Sequence, residues 1–220
     1  MKGRWLGPIA ALTVVVAFVV DVAPVAAQAA TAPPLVEFAN PCTPLTGSPA
    51  PFAGGGGANN MVIVHNPTAG APRIRGSVQI SQIPGPTVGS VNCAAALSGA
   101  TDPVLDGPGC IGCSTLAVAL QIDLTSRAAT RVAPRNVARA ENVRCTGCTT
   151  VAIAMQYVIP VDDPKQVPPD VAALAAAMDA ELRALQSDRG VTLPQAIDRV
   201  MAVRSQFLQL IGDVQRTNAF

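Results

Sequence analysis

Aromatic side chains are scarce: phenylalanine, tyrosine and tryptophan make up 3% of the 220 residues, with one Trp and one Tyr. That leaves little material for base-stacking platforms or an aromatic sugar-binding face. Charge is sparse as well, at 13% of residues and a net +1. A chain without a basic excess carries no electrostatic footprint for nucleic acid, and no nucleic-acid partner is expected. There is one histidine, His65, and no HExxH, G-x-S-x-G, P-loop or G-x-G-x-x-G pattern occurs, so the common catalytic signatures are absent. His65 stands beside Asn66-Pro67 and reads as a half-exposed side chain at a strand end rather than a lone base. What the chain has is apolar bulk, chiefly Leu, Val, Ile and Ala. Half of its residues are hydrophobic, which excludes full disorder, and the length allows one domain or two small ones.

Residues 1–29 read as a secretory signal peptide: Lys2 and Arg4, an apolar stretch from Ile9 to Val20, then Pro24 and small residues up to Ala27-Gln28-Ala29. Cleavage is expected after Ala29. The apolar run falls short of the roughly 20 residues a spanning helix needs, and Asp21 interrupts it, so membrane contact is expected only transiently, through this leader. Lys2, Arg4 and Asp21 leave with it, and 13 basic and 13 acidic residues remain. No lipobox-like run precedes Cys42, and no sorting motif ends the chain. Of fifteen basic residues thirteen are Arg, a bias associated with high-GC bacterial genomes. The expected product is a soluble bacterial protein, secreted or extracytoplasmic.

Residues 30–60 form a linker rich in Pro, Ala and Gly, including the run Gly54 to Gly57. From Met61 the pattern turns strand-like, with Met61 to His65 and Arg73 to Ile83 separated by turn-forming Asn66-Pro67-Thr68-Ala69-Gly70. The clearest feature is a repeat. Cys110-Ile-Gly-Cys113-Ser-Thr115-Leu-Ala117-Val-Ala119-Leu-Gln121 recurs 35 residues later as Cys145-Thr-Gly-Cys148-Thr-Thr150-Val-Ala152-Ile-Ala154-Met-Gln156. Upstream, Asn92-Cys-Ala94-Ala-Ala96 corresponds to Asn136-Val-Ala138-Arg-Ala140, and Val78-Gln79-Ile80 suggests a third, weaker copy. Large residues alternate with small ones, Leu116, Val118, Leu120, Ile122 and Leu124 against Thr115, Ala117, Ala119, Gln121 and Asp123, a period of two that means strand. The small alanines imply close packing by another layer. The Asn-x-Ala-x-Ala segments fit either short strands or short helices; strands would let each unit close a hairpin through its Cys turn, and on that reading residues 61–160 are a duplicated, mainly antiparallel β module.

Beyond the loop that ends in Pro168-Pro169, residues 168–216 read as an αα-hairpin. The first helix, about 170–187, opens on an Asp cap and carries Val171, Leu174, Met178, Leu182 and Leu185 on one stripe. The second follows Thr192-Leu-Pro-Gln195, a capping-box pattern, with Leu193, Ile197, Val200, Phe207, Ile211 and Val214 aligned. Such stripes must be covered by the sheet or by a protein partner. The fold class is α+β.

Six cysteines, Cys42, Cys93, Cys110, Cys113, Cys145 and Cys148, lie beyond the leader. Export favours disulfides, and the duplication of the C-x-G-C units favours Cys110 with Cys113, Cys145 with Cys148 and Cys42 with Cys93. Two alternatives stand beside this. Cys110, Cys113, Cys145 and Cys148 make a four-thiolate zinc set with ribbon-like spacing, or the C-x-G-C turns carry thiol-disulfide exchange. Against exchange, a strand rather than a helix N-terminus follows each turn. Lesser candidates have ordinary explanations. Asp162-Asp163 and Asp102/Asp106 read as loop acids rather than calcium ligands. Arg127, Arg131, Arg135, Arg139 and Arg144 read as a solvated cluster. Gln79, Gln121 and Gln156 read as side chains hydrogen-bonding the backbone within the sheet.

The double Cys-x-x-Cys-x-Thr-x-Ala-x-Ala-x-Gln unit followed by a helical hairpin, about Asn92 to Val214, resembles exported segments of poorly characterised actinobacterial proteins, some of them named as peptide zinc metalloproteases. The zinc-binding helix motif of a protease domain is missing here. The resemblance therefore implies an exported accessory module without peptidase activity. The sequence as a whole points to a structural or binding module without a cofactor, zinc being the alternative, and to no enzymatic activity.

Overall fold

The computed structural model describes residues 15–22, 42, 59–100 and 109–217. The chain winds into three turns of a parallel coil. The first turn holds β2 (Asn59–Asn66), β3 (Arg73–Ile83) and β4 (Thr87–Val88). The second holds β5 (Val91–Gly99), β6 (Cys110–Ile111), β7 (Ser114–Ser126) and β8 (Arg131–Val132). The third holds β9 (Arg135–Val143), β10 (Cys145–Thr146) and β11 (Thr149–Val161). Each strand stacks in parallel on its counterpart in the next turn, giving the ladders β2-β5-β9, β3-β7-β11, β4-β8 and β6-β10.

This corrects the antiparallel module expected from the sequence: the sheets are parallel. Among the described residues, β1 (Val15–Val22) against β11 is the one antiparallel pairing. The reason lies in the repeat itself. A hairpin through the Cys turn would pair β5 with β7, but these strands lie in different sheets, and each segment pairs instead with its own copy. Like therefore meets like: Asn60, Asn92 and Asn136 fall opposite one another, as do Gln79, Gln121 and Gln156, Thr115 and Thr150, and Ala117 and Ala152. Such a register lets side-chain amides chain together. Asn60 Nδ2 donates to Asn92 Oδ1 at 3.0 Å, Asn92 Nδ2 to Asn136 Oδ1 at 2.8 Å, and Asn136 Nδ2 to the Ala154 carbonyl at 3.0 Å. A hairpin register would not align these three asparagines.

The Asn-x-Ala-x-Ala segments are strands, and the alternation of large and small residues divides the interior as its period implies. Ala117, Ala119, Ala152 and Ala154 of the larger sheet face Val62, Val64, Ala94, Ala96 and Ala140 of the smaller. The small side chains bring the two sheets close together. Leu116, Val118, Leu120, Ile122 and Leu124, with Val151, Ile153, Met155, Tyr157 and Ile159, point the other way into the main core. That face is covered by α1 (Pro169–Ser187) and α2 (Leu193–Thr217), so β7 is buried on both sides and reads as an almost continuous apolar run.

The hairpin forms much as its stripes imply. Val171, Met178, Leu182 and Leu185 of α1 and Leu193, Val200, Phe207 and Ile211 of α2 are buried against the sheet, joined by Ala175, Ala196, Val203 and Leu210. Thr192 and Gln195 make the capping box: the Thr192 N–H donates to Gln195 Oε1 at 2.9 Å, and the Gln195 N–H to Thr192 Oγ1 at 3.5 Å. The Asp cap on α1 is not formed. The N-cap is Pro168, without a side-chain hydrogen bond, and Asp170 sits in the first turn, where its charge meets the helix dipole. α1 also lies along the outer edge of β3, where the Val78 N–H donates to Asp179 Oδ1 at 3.1 Å and Gln186 Nε2 donates to the Gly76 carbonyl at 3.1 Å. These contacts blunt an edge that would otherwise accept another strand.

Two boundaries differ from the sequence reading. β2 begins at Asn59, inside the expected linker, of which the described residues otherwise include only Cys42. Part of the expected leader, Val15 to Val22, forms β1; the rest of the leader lies outside the described residues.

Candidate functional site: four cysteines on two stacked turns

In the second and third turns of the coil the passage from the smaller sheet to the larger is a C-x-G-C turn, and the two turns stack because β6 and β10 pair in register, Cys110 opposite Cys145 and Thr146 opposite Ile111. Backbone bonds hold them together: the Cys110 N–H donates to the Arg144 carbonyl at 3.1 Å, Gly112 N–H to Thr146 at 2.8 Å and Thr149 N–H to Cys113 at 2.9 Å. Gly112 and Gly147 have φ of +68° and +64°, a left-handed conformation that bends the chain back into β7 and β11. No atom stands within 4 Å of where a Cβ would lie at either position. The cost of Gly147→Ala is therefore the backbone strain alone, about 1 kcal/mol. A urea midpoint unchanged by this substitution would show that the turn does not need the left-handed residue.

Cys110, Cys113 and Cys148 are buried, and Cys145 is half-buried. Within each turn the cysteines pair at disulfide distance, with Cα separations of 6.0 Å for Cys110–Cys113 and 5.9 Å for Cys145–Cys148. Cys42 and Cys93 form the third pair at 5.8 Å. Across the two turns, the four sulfurs lie within 4.8 Å of one another, and the Cys113 N–H donates to Cys148 Sγ at 3.3 Å. A tetrahedral zinc with bonds of about 2.3 Å needs thiolates roughly 3.8 Å apart, so the donor set and its spread fit a metal once the thiols are reduced. The cluster therefore fits two chemistries, a pair of stacked disulfides or a four-thiolate metal site.

The paired cysteines suggest an oxidising, extracytoplasmic environment. None of the described helices is long and apolar enough to cross a membrane.

Among the described residues, the remaining candidates do not gather into a site. His65 is half-buried, and its Nε2 lies 2.7 Å from the Gly99 carbonyl. Asp162 pairs with Arg127 at 2.8 Å, and Asp163 accepts from the Lys165 N–H and from Gln166, so both serve the loop. Asp102 and Asp106 lie outside the described residues. Arg139 pairs with Glu141.

Sequence reading missed a buried polar knot at the opposite end of the coil's interior. Gln121 and Gln156 bond side chains rather than backbone alone. Gln121 Nε2 donates to Ser81 Oγ at 2.8 Å, and Gln156 Nε2 donates to Ser90 Oγ at 2.8 Å and to Asp123 Oδ2 at 2.9 Å. The Ser90 hydroxyl donates to Asp123 Oδ2 at 2.5 Å. The alternation signal had placed Gln121 and Asp123 on one inward face, but not the serines that come to meet them.

Burial raises the Asp123 carboxyl pKa, and hydrogen bonds from Ser90 and Gln156 oppose the shift only in part. The native state thus holds this proton more tightly than the unfolded chain does. The carboxyl's cost to stability is absent below its unfolded pKa of about 3.9 and grows as pH rises toward the raised native value. Asp123→Asn removes that titration. Urea unfolding from pH 4 to pH 7 should show the variant gaining on the wild type as pH rises; a constant difference would refute the assignment.

Neither protein-family models, nor curated proteins, nor solved structures give a match to this chain.

Proposed function

We propose that the chain is an exported, non-enzymatic structural or binding module whose coil is locked by disulfides. The observation that carries this reading is the pairing of all six cysteines at disulfide distance, two of the pairs stacked turn on turn. The resemblance of the double Cys-x-x-Cys unit to exported actinobacterial segments supports the same location. A protein partner reached through the hairpin would meet its polar outer face, since the apolar stripes are buried against the sheet.

The second reading is a zinc-binding or redox module, favoured by the mutual approach of the four sulfurs at the stacked turns. In it Cys110, Cys113, Cys145 and Cys148 hold the metal, which ties the second turn of the coil to the third.

One experiment separates the two. Protein purified from the compartment to which it is exported is alkylated under denaturing conditions before and after reduction, and its intact mass is read alongside the native mass. The disulfide reading expects no alkylation until reductant is added. Four alkylated cysteines without reductant, together with a native mass heavier by one zinc ion, would overturn it in favour of the metal site.

A further inference from the structure

The two ends of the coil are finished differently. At the first turn, the edge of β3 is guarded by α1, whose Asp179 and Gln186 side chains occupy the Val78 N–H and the Gly76 carbonyl. At the third turn, the edge of β11 is covered by β1, in a run of antiparallel pairs from Val15 opposite Gln156 to Val22 opposite Thr149. β1 belongs to the stretch whose composition reads as a cleavable leader. Removing it would leave without partners the backbone N–H and C=O groups that point away from β7, those of every second residue between Thr149 and Gln156, on a strand that is otherwise buried. A long, largely apolar edge of this kind recruits another strand.

We infer that, once the leader is removed, the β11 edge docks on the β11 edge of a second copy, joining two coils end to end about a twofold axis. This rests on the export reading. The second copy is the occupant that the geometry favours. β11 already accepts its neighbour in antiparallel orientation, and a twofold axis normal to the sheet brings two β11 strands together in that orientation. The residue types also fit a register centred on Ile153, which sets Ala152 opposite Ala154 of the other copy and Val151 opposite Met155. Ala152 and Ala154 belong to the tight layer between the sheets, whereas Val151, Ile153 and Met155 face the helices. Small residues therefore meet small ones and large residues meet large, and both copies keep their helices on the same side of the joined sheet.

The test compares two forms of the protein: the form recovered from the compartment of export, and the full 220-residue chain refolded under oxidising conditions. Intact mass fixes the N-terminus of each. Sedimentation velocity at micromolar concentration gives the oligomeric state, and hydrogen exchange reads those amides of 149–156 that point away from β7. The expected result is an exported form that begins at Ala30, sediments as a dimer and protects these amides, and a full chain that protects them as a monomer. An exported form still carrying residues 15–22 overturns the export reading, and this inference with it. A processed form that is monomeric and exchanges rapidly at those outward-facing amides overturns the inference alone. A dimer that persists in the full chain also overturns it, since the contact would then lie elsewhere.

Discussion

Replacing Phe207 with Ala is expected to lower the unfolding free energy by about 3–5 kcal/mol, the cost of a large cavity in a packed core. Phe207 is fully buried on α2, and its ring centroid lies 5.3 Å from that of Tyr157 on β11. It therefore couples the hairpin to the coil's last turn. Leu208, the next residue, is 37% exposed, and Leu208→Ala is expected to change stability by no more than about 0.5 kcal/mol, as is usual at the surface. Urea unfolding of both variants measures the contrast. Equal effects at the two positions would mean that the hairpin does not pack on the sheet in the way described.

The second large effect belongs to Cys42–Cys93. This bridge closes a loop across 51 positions, whereas the two C-x-G-C bridges each span 3. In the chain-entropy account the long loop contributes about 4 kcal/mol and each short one about 2. The double substitution Cys42→Ala with Cys93→Ala leaves no stray thiol and opens only the long loop. Its thermal midpoint should fall well below that of Cys110→Ala with Cys113→Ala. The reverse order would show that the stacked turns, and not the long tether, carry the covalent stabilisation. Cys93 lies within β5 among Val91, Ala95 and Val137, so some of the loss will be packing. Cys93→Val with Cys42→Ala restores that volume and isolates the tether.

The hairpin was legible because its signals are local. Thr192 and Gln195 cap a helix whatever lies beneath it, and stripes at spacings of three and four residues need an apolar neighbour of any kind. Strand character in the repeat was legible for the same reason, since side chains alternate along any strand. Strand direction was not. Period two is common to parallel and antiparallel sheets, and the choice between them depends on contacts between residues 35 to 44 positions apart, such as Ser114 with Thr149 and Val91 with Arg135. A clue was nonetheless present, because Asn92 with Asn136 and Gln121 with Gln156 are residues that gain most when they face their own kind.

The cysteine set was legible as a list of residues, and its clustering follows from the same stacking. The knot around Asp123 was not legible, because Ser81 and Ser90 reach it from separate passes of the chain. The reading of Val15 to Val22 took its composition as a leader and gave no sign of the edge that those residues cover.

The coil's order in the chain also bears on its synthesis. Strands enter from the N-terminus turn by turn, while the helices that cover the apolar face of the larger sheet lie at the very end. Until α1 and α2 have been made, Leu116, Leu120, Ile153 and Met155 have only their neighbours on the same sheet face to pack against, with no layer over them. Distant pairings close slowly, and an uncovered apolar sheet is prone to clump with its neighbours. A protein of this design is exposed to aggregation for longest just before it is complete, and a truncation that spares every strand but loses the hairpin would leave it in that condition.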